Sequence, residues 1–287
     1  MKNKTNAPEK PSGKSLIVLA VLSIVLLFLG IGTLVFALVY SGFFTGTKPQ
    51  KANTEIYEKI PENATPVHKV IDDNLDNYEE PVDSPATKLL DVPYINQTSK
   101  YPTGCESVSA VMALKFAGYD ITPEDFIDNY LPQSPTPYLD DSGKLFGYNP
   151  YKVFIGSPYS SDGWGCYYPV IGRCLSRIID KDRHRIVRIS NATMNNLTSY
   201  IDRDIPVIIW ATQGMSKPER SQSWMLADGN KKFTWVSPNH CLLLVGYDDT
   251  GYYFNDPLSH KNCRYPAEIV QKRYNSMGRQ ALVIMNK

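Results

Sequence analysis

The sequence predicts an α+β domain of roughly 200 residues standing behind one membrane-spanning helix. Three observations carry that reading. Helix-forming stretches come early in the C-terminal part of the chain and most strand-forming stretches come later, the order of helices packed on an antiparallel sheet. Two strand-like runs, "NHCLLLVGY" and "GYYFNDP", flank a turn at Asp248-Asp249-Thr250-Gly251 and read as a hairpin. Near the N-terminus, a long uncharged apolar run fits no soluble core.

That run, "SLIVLAVLSIVLLFLGIGTLVFALVY", spans Ser15 to Tyr40 and holds 26 residues without a charge. It is long enough to cross a bilayer with slight tilt. Lys2, Lys4, Lys10 and Lys14 precede it against Glu9 alone. The positive-inside rule therefore makes residues 1–14 a cytoplasmic tail and puts everything after Tyr40 outside. A cleavable signal peptide has a shorter apolar region and a small-residue cleavage site, so an uncleaved signal anchor at 15–40 is expected. Residues 41–87 are polar, dotted with proline and poor in apolar residues, and read as an extracytoplasmic stalk.

The folded domain is expected over 88–287. "KLLDVPYINQ" reads as a short strand ending near Gln97. Turn residues Pro102, Thr103 and Gly104 then lead into a helix from Cys105, with Val108, Met112 and Phe116 at helical spacing and Gly118 as its stop. "TPEDFIDNYLP" is a second helix, capped by Thr122 with Pro123 at its first position and Asp125 completing a capping-box-like pair. Residues 132–165 are rich in Tyr, Pro, Gly and Ser and read as loop. A third helix starts near Pro169, a strand covers "RHRIVRIS", a helix "TMNNLTSYIDRD", and a buried strand "PVIIWAT". The stretch from Trp210 to His240 reads as a polar excursion carrying Trp224 and Trp235 toward the rim of a site.

The formal net charge of +1 is no footprint for nucleic acid, and no nucleic-acid partner is expected. Five cysteines (Cys105, Cys166, Cys174, Cys241 and Cys263) include no C-x-x-C pair, and the four histidines are scattered. Neither a metal site nor a cofactor is expected. Cys105 differs from the other four by its place. A thiol at a helix N-terminus meets free N–H groups and the positive end of the dipole, which favour a thiolate. The hairpin supplies partners: its antiparallel register brings His240 and the 255–256 pair together at its open end. A carboxylate or amide there would orient the imidazole. Successive strand residues face opposite ways, so Asn255 and Asp256 cannot both serve, and Cys241 should point into the core. Gln97, just ahead of the Cys105 turn, offers an amide donor that would join the Cys105 backbone N–H as an oxyanion hole.

In order and local context, "LDVPYINQ…YPTGCESVSAVMALKFAGYDIT" followed by "NHCLLLVGYDDTGYYFNDP" resembles the papain-like cysteine peptidases related to the double-glycine leader peptidases of bacterial peptide exporters. It is most similar to the stand-alone, often membrane-anchored C39-like branch. The resemblance covers about residues 88–260. It implies a papain-like domain with its nucleophile helix packed on an antiparallel sheet, Cys105 as nucleophile, His240 as general base and acid, Asp256 as orienter and Gln97 as oxyanion donor. The substrate it implies is a peptide or protein.

Three departures qualify it. No nucleotide-binding loop accompanies the domain, so export is not implied. Glu106 sets a negative charge beside the thiol, which raises the thiol pKa unless the side chain turns away. A long insertion, "YNPYKVFIGSPYSSDGWGCYYPVIGRC", crowds Tyr148, Tyr151, Phe154, Tyr159, Trp164, Tyr167 and Tyr168 into a Gly/Pro-rich loop, either a wall of the site or a self-packed surface loop. The expected function is a membrane-anchored extracytoplasmic cysteine peptidase. The alternatives are a hydrolase or transpeptidase of peptidoglycan stem peptides, and a silent peptide-binding module on the same fold.

Overall fold

The computed structural model describes residues 88–97, 100–229 and 231–287. The expected tail, span and stalk (1–14, 15–40 and 41–87) lie outside the described residues. Among those described, no helix is long and apolar enough to cross a membrane.

The domain opens with β1 (Lys88–Leu89), shorter than the strand expected up to Gln97. The ladder stops because the Val92 N–H turns back onto the Leu90 carbonyl (3.0 Å) and Pro93 has no N–H to give. The segment instead runs on to Gln97, whose N–H reaches the Pro257 carbonyl at 3.0 Å. Helix α1 follows (Cys105–Phe116). Its spacing predicts one apolar face, yet every residue from Cys105 to Leu114 is buried. A helix enclosed on all sides needs small residues to let its neighbours approach. Ser109 does so against the sheet, donating from Oγ to the Cys241 carbonyl at 3.1 Å. Helix α2 (Pro123–Tyr130) carries the predicted reciprocal cap between Thr122 and Asp125.

The stretch 132–165, expected as loop, carries short strands β2 (Gln133–Ser134), β3 (Tyr138–Leu139), β4 (Leu145–Gly147) and β5 (Phe154–Ile155), of which only β5 lies in the insertion. Then come α3 (Tyr168–Ile178), β6 (His184–Ser190), α4 (Met194–Ile201) and β7 (Val207–Thr212), all where the sequence places them. The polar excursion is not a loop. It folds as a hairpin of β8 (Glu219–Leu226) and β9 (Lys232–Ser237), with Trp224 buried rather than on a rim. The expected hairpin is β10 (Asn239–Tyr247) and β11 (Gly251–Asn255). The C-terminal stretch adds β12 (Cys263–Pro266), α5 (Ala267–Ser276) and β13 (Gln280–Asn286).

The main sheet runs β12–β11–β10–β7–β13–β6 with every pair antiparallel, and β1 joins β10 beyond the end of β7. All six residues of β7 are buried, so both faces of the sheet are covered at its centre. A second sheet, β3–β4–β8–β9, joins the segment just ahead of the insertion to the later hairpin through a parallel β4–β8 pair. Sequence order therefore predicts the α+β class and the main sheet's antiparallel sense, while the small sheet arises from two distant segments.

The closed end of the β10–β11 hairpin is fastened to β12. Asp248, with its side chain fully buried, accepts from Arg264 Nε (2.8 Å) and Nη2 (3.0 Å), from the Thr250 N–H (2.7 Å) and from the Tyr253 hydroxyl (3.0 Å). The Arg264 guanidinium, followed by these other donors, holds the Asp248 carboxyl well below the usual carboxylate range. Removing one partner leaves a buried, uncompensated charge. Arg264→Met is expected to lower stability by about 3 kcal/mol at pH 7, measured by urea unfolding. Because the folded-state pKa of Asp248 is depressed, its contribution is present above about pH 4 and fades as pH falls. The gap between wild type and variant should therefore narrow in acid. A gap that is constant from pH 7 to pH 2 contradicts this account.

Candidate active site

Cys105 is the first residue of α1. A tight turn delivers it: Tyr101 N–H bonds the Gln97 carbonyl (2.9 Å) and Gly104 N–H the Tyr101 carbonyl (2.9 Å). A Cβ on Gly104 would come within 2.7 Å of Tyr101 Cβ, so only glycine lets the turn close this tightly. Thr103 Oγ1 ties the turn to the insertion through the carbonyls of Ser157 (3.0 Å) and Ser160 (2.9 Å).

From the other side, β10 brings His240 and β11 ends at Asn255, just before Asp256. The register Leu243↔Asn255 sets Asp256 on the His240 face. His240 Nε2 lies 2.7 Å from Asp256 Oδ1, both side chains being buried. The second carboxylate oxygen accepts the Tyr265 hydroxyl at 2.8 Å, and Oδ1 also accepts the Leu258 N–H at 3.0 Å. Burial pushes the Asp256 carboxyl up, but the His240 hydrogen bond and charge and these donors outweigh it, and the net shift is downward. With Nε2–H given to the carboxylate, the imidazole lone pair sits on Nδ1, which is buried without a hydrogen-bond partner. Asn255 faces away as expected. Its Nδ2 donates to the Val92 carbonyl (3.1 Å) and its Oδ1 accepts the Asn262 N–H (3.1 Å), a structural tie with no link to the imidazole.

The two halves meet at the thiol. The backbone of Cys241, next to His240, faces Cys105 and moderates the rise of its pKa. Gln97 and Cys105 both line a cleft of about 500 Å³ walled by Trp164 of the insertion and by Trp235 and Gln222 of the β8–β9 hairpin. A register shift in β8 between Arg220 and Ser223 turns Gln222 toward this cleft. Asp162 is the one charged side chain on its walls among the described residues. His240 is enclosed behind Asn239, which does line the cleft. The amide of Gln97 faces the carbonyls of Tyr101 and Pro102, both at 3.2 Å from Nε2, so an oxyanion in the cleft competes with them for its protons.

Glu106 does not turn away. It is completely buried; Oε1 accepts the Cys166 N–H (2.9 Å) and Asn239 Nδ2 (3.3 Å), and Oε2 accepts the Cys105 thiol (3.3 Å). Its seat exists because Gly165 has φ +122° and no Cβ; a Cβ there would lie 2.4 Å from Oε1. Burial raises the thiol pKa well above its ordinary value, and the Glu106 charge adds to it. Helix placement alone predicts the opposite sign; at this site desolvation and a neighbouring carboxylate outweigh the dipole.

Sequence reasoning singles out Cys105, His240, Asp256 and Gln97; the fold pairs His240 with Asp256 and lines one cleft with Cys105 and Gln97. It misses Asn239, Tyr265 and the seat for Glu106. Asn239 precedes the histidine and carried no signal of its own, and Tyr265 belongs to a stretch with no readable motif. All five cysteines are free. Among the described residues, no group of His, Cys, Asp and Glu is arranged to hold a metal ion.

Comparison with known proteins fits this arrangement. The family model described as "Peptidase_C39 like family" matches residues 89–282. The uncharacterized protein YvpB of Bacillus subtilis (strain 168) is 28% identical over 201 residues, covering 69% of this chain and 76% of YvpB. A crystal structure of a C39-like peptidase from Bacillus anthracis shares the fold at a TM-score of 0.61 and 23% identity, covering 70% of this chain and 98% of that one. With the family model covering two thirds of the chain, from the end of β1 into β13, this chain belongs to the stand-alone C39-like peptidase family.

Proposed function

We propose that this protein is a cysteine peptidase, held by its N-terminal helix at the outer face of the cell membrane, that hydrolyses peptide bonds through Cys105, His240 and Asp256. The observation that carries the reading is the buried His240–Asp256 pair with an unpartnered Nδ1, directly before the Cys241 backbone that faces a thiol lining an open cleft. Nδ1 takes the thiol proton as sulfur attacks the substrate carbonyl carbon. Asp256 stabilises the imidazolium, and the Cys105 N–H with the Gln97 amide stabilises the oxyanion. The imidazolium then protonates the departing amine. Water, with its proton going to Nδ1, cleaves the thioester and restores the thiol.

The raised thiol pKa favours general-base attack over a preformed ion pair. The same observation supports a second reading, a silent peptide-binding module. The walls of the cleft, with carbonyls, amides, hydroxyls and two indoles but no cationic side chain, suit a neutral or basic peptide in either case. A hydrolase of wall stem peptides would use the same chemistry on a different peptide.

A peptide carrying a thiol-reactive warhead, incubated with the full-length protein, separates the readings. Labelling at Cys105 that disappears in Cys105→Ala supports the peptidase; labelling unchanged in that variant removes the nucleophile assignment. Loss of turnover in Cys105→Ala should reach several orders of magnitude. Release of stem-peptide fragments from purified wall without cleavage of proteins would move the assignment to a wall hydrolase.

A second series compares the two residues at the hairpin end. Asp256→Asn should lower kcat at least about tenfold with little change in stability. Asn255→Ala strands the Val92 carbonyl and the Asn262 N–H in the interior. It should cost about 1–3 kcal/mol of stability while kcat per folded molecule stays near wild type. The reverse pattern would show that Asn255 orients the base.

A further inference from the structure

Glu106 is a buried charged group that the reaction above does not use. Three groups surround its carboxylate, and all three donate: the Cys166 N–H, the Asn239 amide and the Cys105 thiol. A carboxyl with donors on every side is satisfied as the carboxylate. The titratable groups facing it are Cys105 on its own helix, Cys166 and Tyr167 ahead of α3, and His240 and Cys241 on β10. None is a fixed cation; burial pushes the Glu106 carboxyl above its ordinary value, and the Cys166 N–H, its own N–H, the Cys105 thiol and His240 oppose that rise.

Two of those donors line the cleft, Asn239 and Cys105 itself. A peptide seated in the cleft therefore meets two of the three groups that hold Glu106. The thiol bonds Glu106 Oε2 at rest, and the Cys241 backbone that faces it directly follows His240, whose Nδ1 has no partner.

Resting on the peptidase reading, we propose that Glu106 is a positioning residue: it holds the Cys105 thiol protonated in the empty enzyme and yields it to His240 when a peptide occupies the cleft. In the transfer the S–H proton moves to Nδ1, the sulfur–carbon bond forms, and Glu106 remains a carboxylate throughout. A nucleophile kept as a thiol resists alkylation and oxidation, which suits an enzyme working outside the reducing cytoplasm.

The test is the pH dependence of iodoacetamide alkylation at Cys105 in the full-length protein, with the adduct located by mass spectrometry. Wild type should show a midpoint above that of an ordinary thiol, about 8.5. Glu106→Gln removes the charge that opposes thiolate formation, so its midpoint should fall by about one unit or more, with alkylation at pH 7 rising about tenfold. The peptidyl warhead should label wild-type Cys105 at pH 7 despite its resistance to iodoacetamide. An unchanged midpoint in a folded Glu106→Gln protein overturns the proposal, as does a wild-type midpoint well below 8.5. Absent warhead labelling with a high wild-type midpoint overturns the peptidase reading and the release step with it. If the glutamine variant does not fold, infrared difference spectra of wild type against Cys105→Ser decide. An S–H band at pH 7, shifted down by the bond to a carboxylate, supports the proposal, and its absence at pH 7 overturns it.

Discussion

The register between β10 and β11 is the constraint on which the site depends. A slip of one residue would turn His240 outward from its partner and present Cys241 instead. The structure secures that register at both ends. At the closed end, Asp248 binds Arg264 of β12 and caps Thr250. At the open end, Asn255 grips the Val92 carbonyl and the Asn262 N–H, so the residue that does not serve the imidazole fixes the strand carrying the one that does. Between them, β10 also pairs with β7 and β1 and receives α1, the helix that starts at Cys105, on the strand that carries His240.

Around the thiol the dominant physics is desolvation. Cys105, Glu106, His240, Asp256 and Gln97 are all buried, in a region where a polar group without a partner costs free energy. Most of their atoms are paired. Those that are not, His240 Nδ1, Gln97 Oε1 and Asn239 Oδ1, belong to residues gathered about the cleft. Leaving polar atoms unsatisfied is tolerated at functional sites because a ligand supplies the missing bonds. The aromatic insertion serves both purposes weighed for it. Trp164 faces the cleft while its ring meets Trp224 and Trp235 edge-on, and Tyr167 packs between Tyr151 and Trp235.

How much of this is legible in the sequence depends on the range of the interaction. Local signals held: the Thr122–Asp125 cap, the Pro169 helix start and the hairpin turn are written in neighbouring residues. The pairing of His240 with Asp256 followed from strand alternation across a short turn. Long-range features were hidden. The β8–β9 strands are polar because one face is exposed, so they read as an excursion, and β4 finds β8 across more than seventy intervening residues. The last strand, β13, sits between β7 and β6 in the main sheet, a place no local pattern announces. For Glu106 the residue was conspicuous but its direction was not, because its seat is made by Gly165 from another part of the chain.

The small sheet has an implication for how such a domain changes over time. Strands β3 and β4 come from the segment just ahead of the insertion, β8 and β9 from the later hairpin, and among the described residues their only shared ladder is the parallel β4–β8 joint. At that joint Gly147 sits under the Trp224 indole, where a Cβ would lie 2.7 Å from the ring. The two segments are thus matched parts. A chimaera that imports one of them from a relative strands an open strand edge and an uncovered tryptophan, whereas exchanging both together would transplant the mouth of the site onto an unaltered catalytic scaffold.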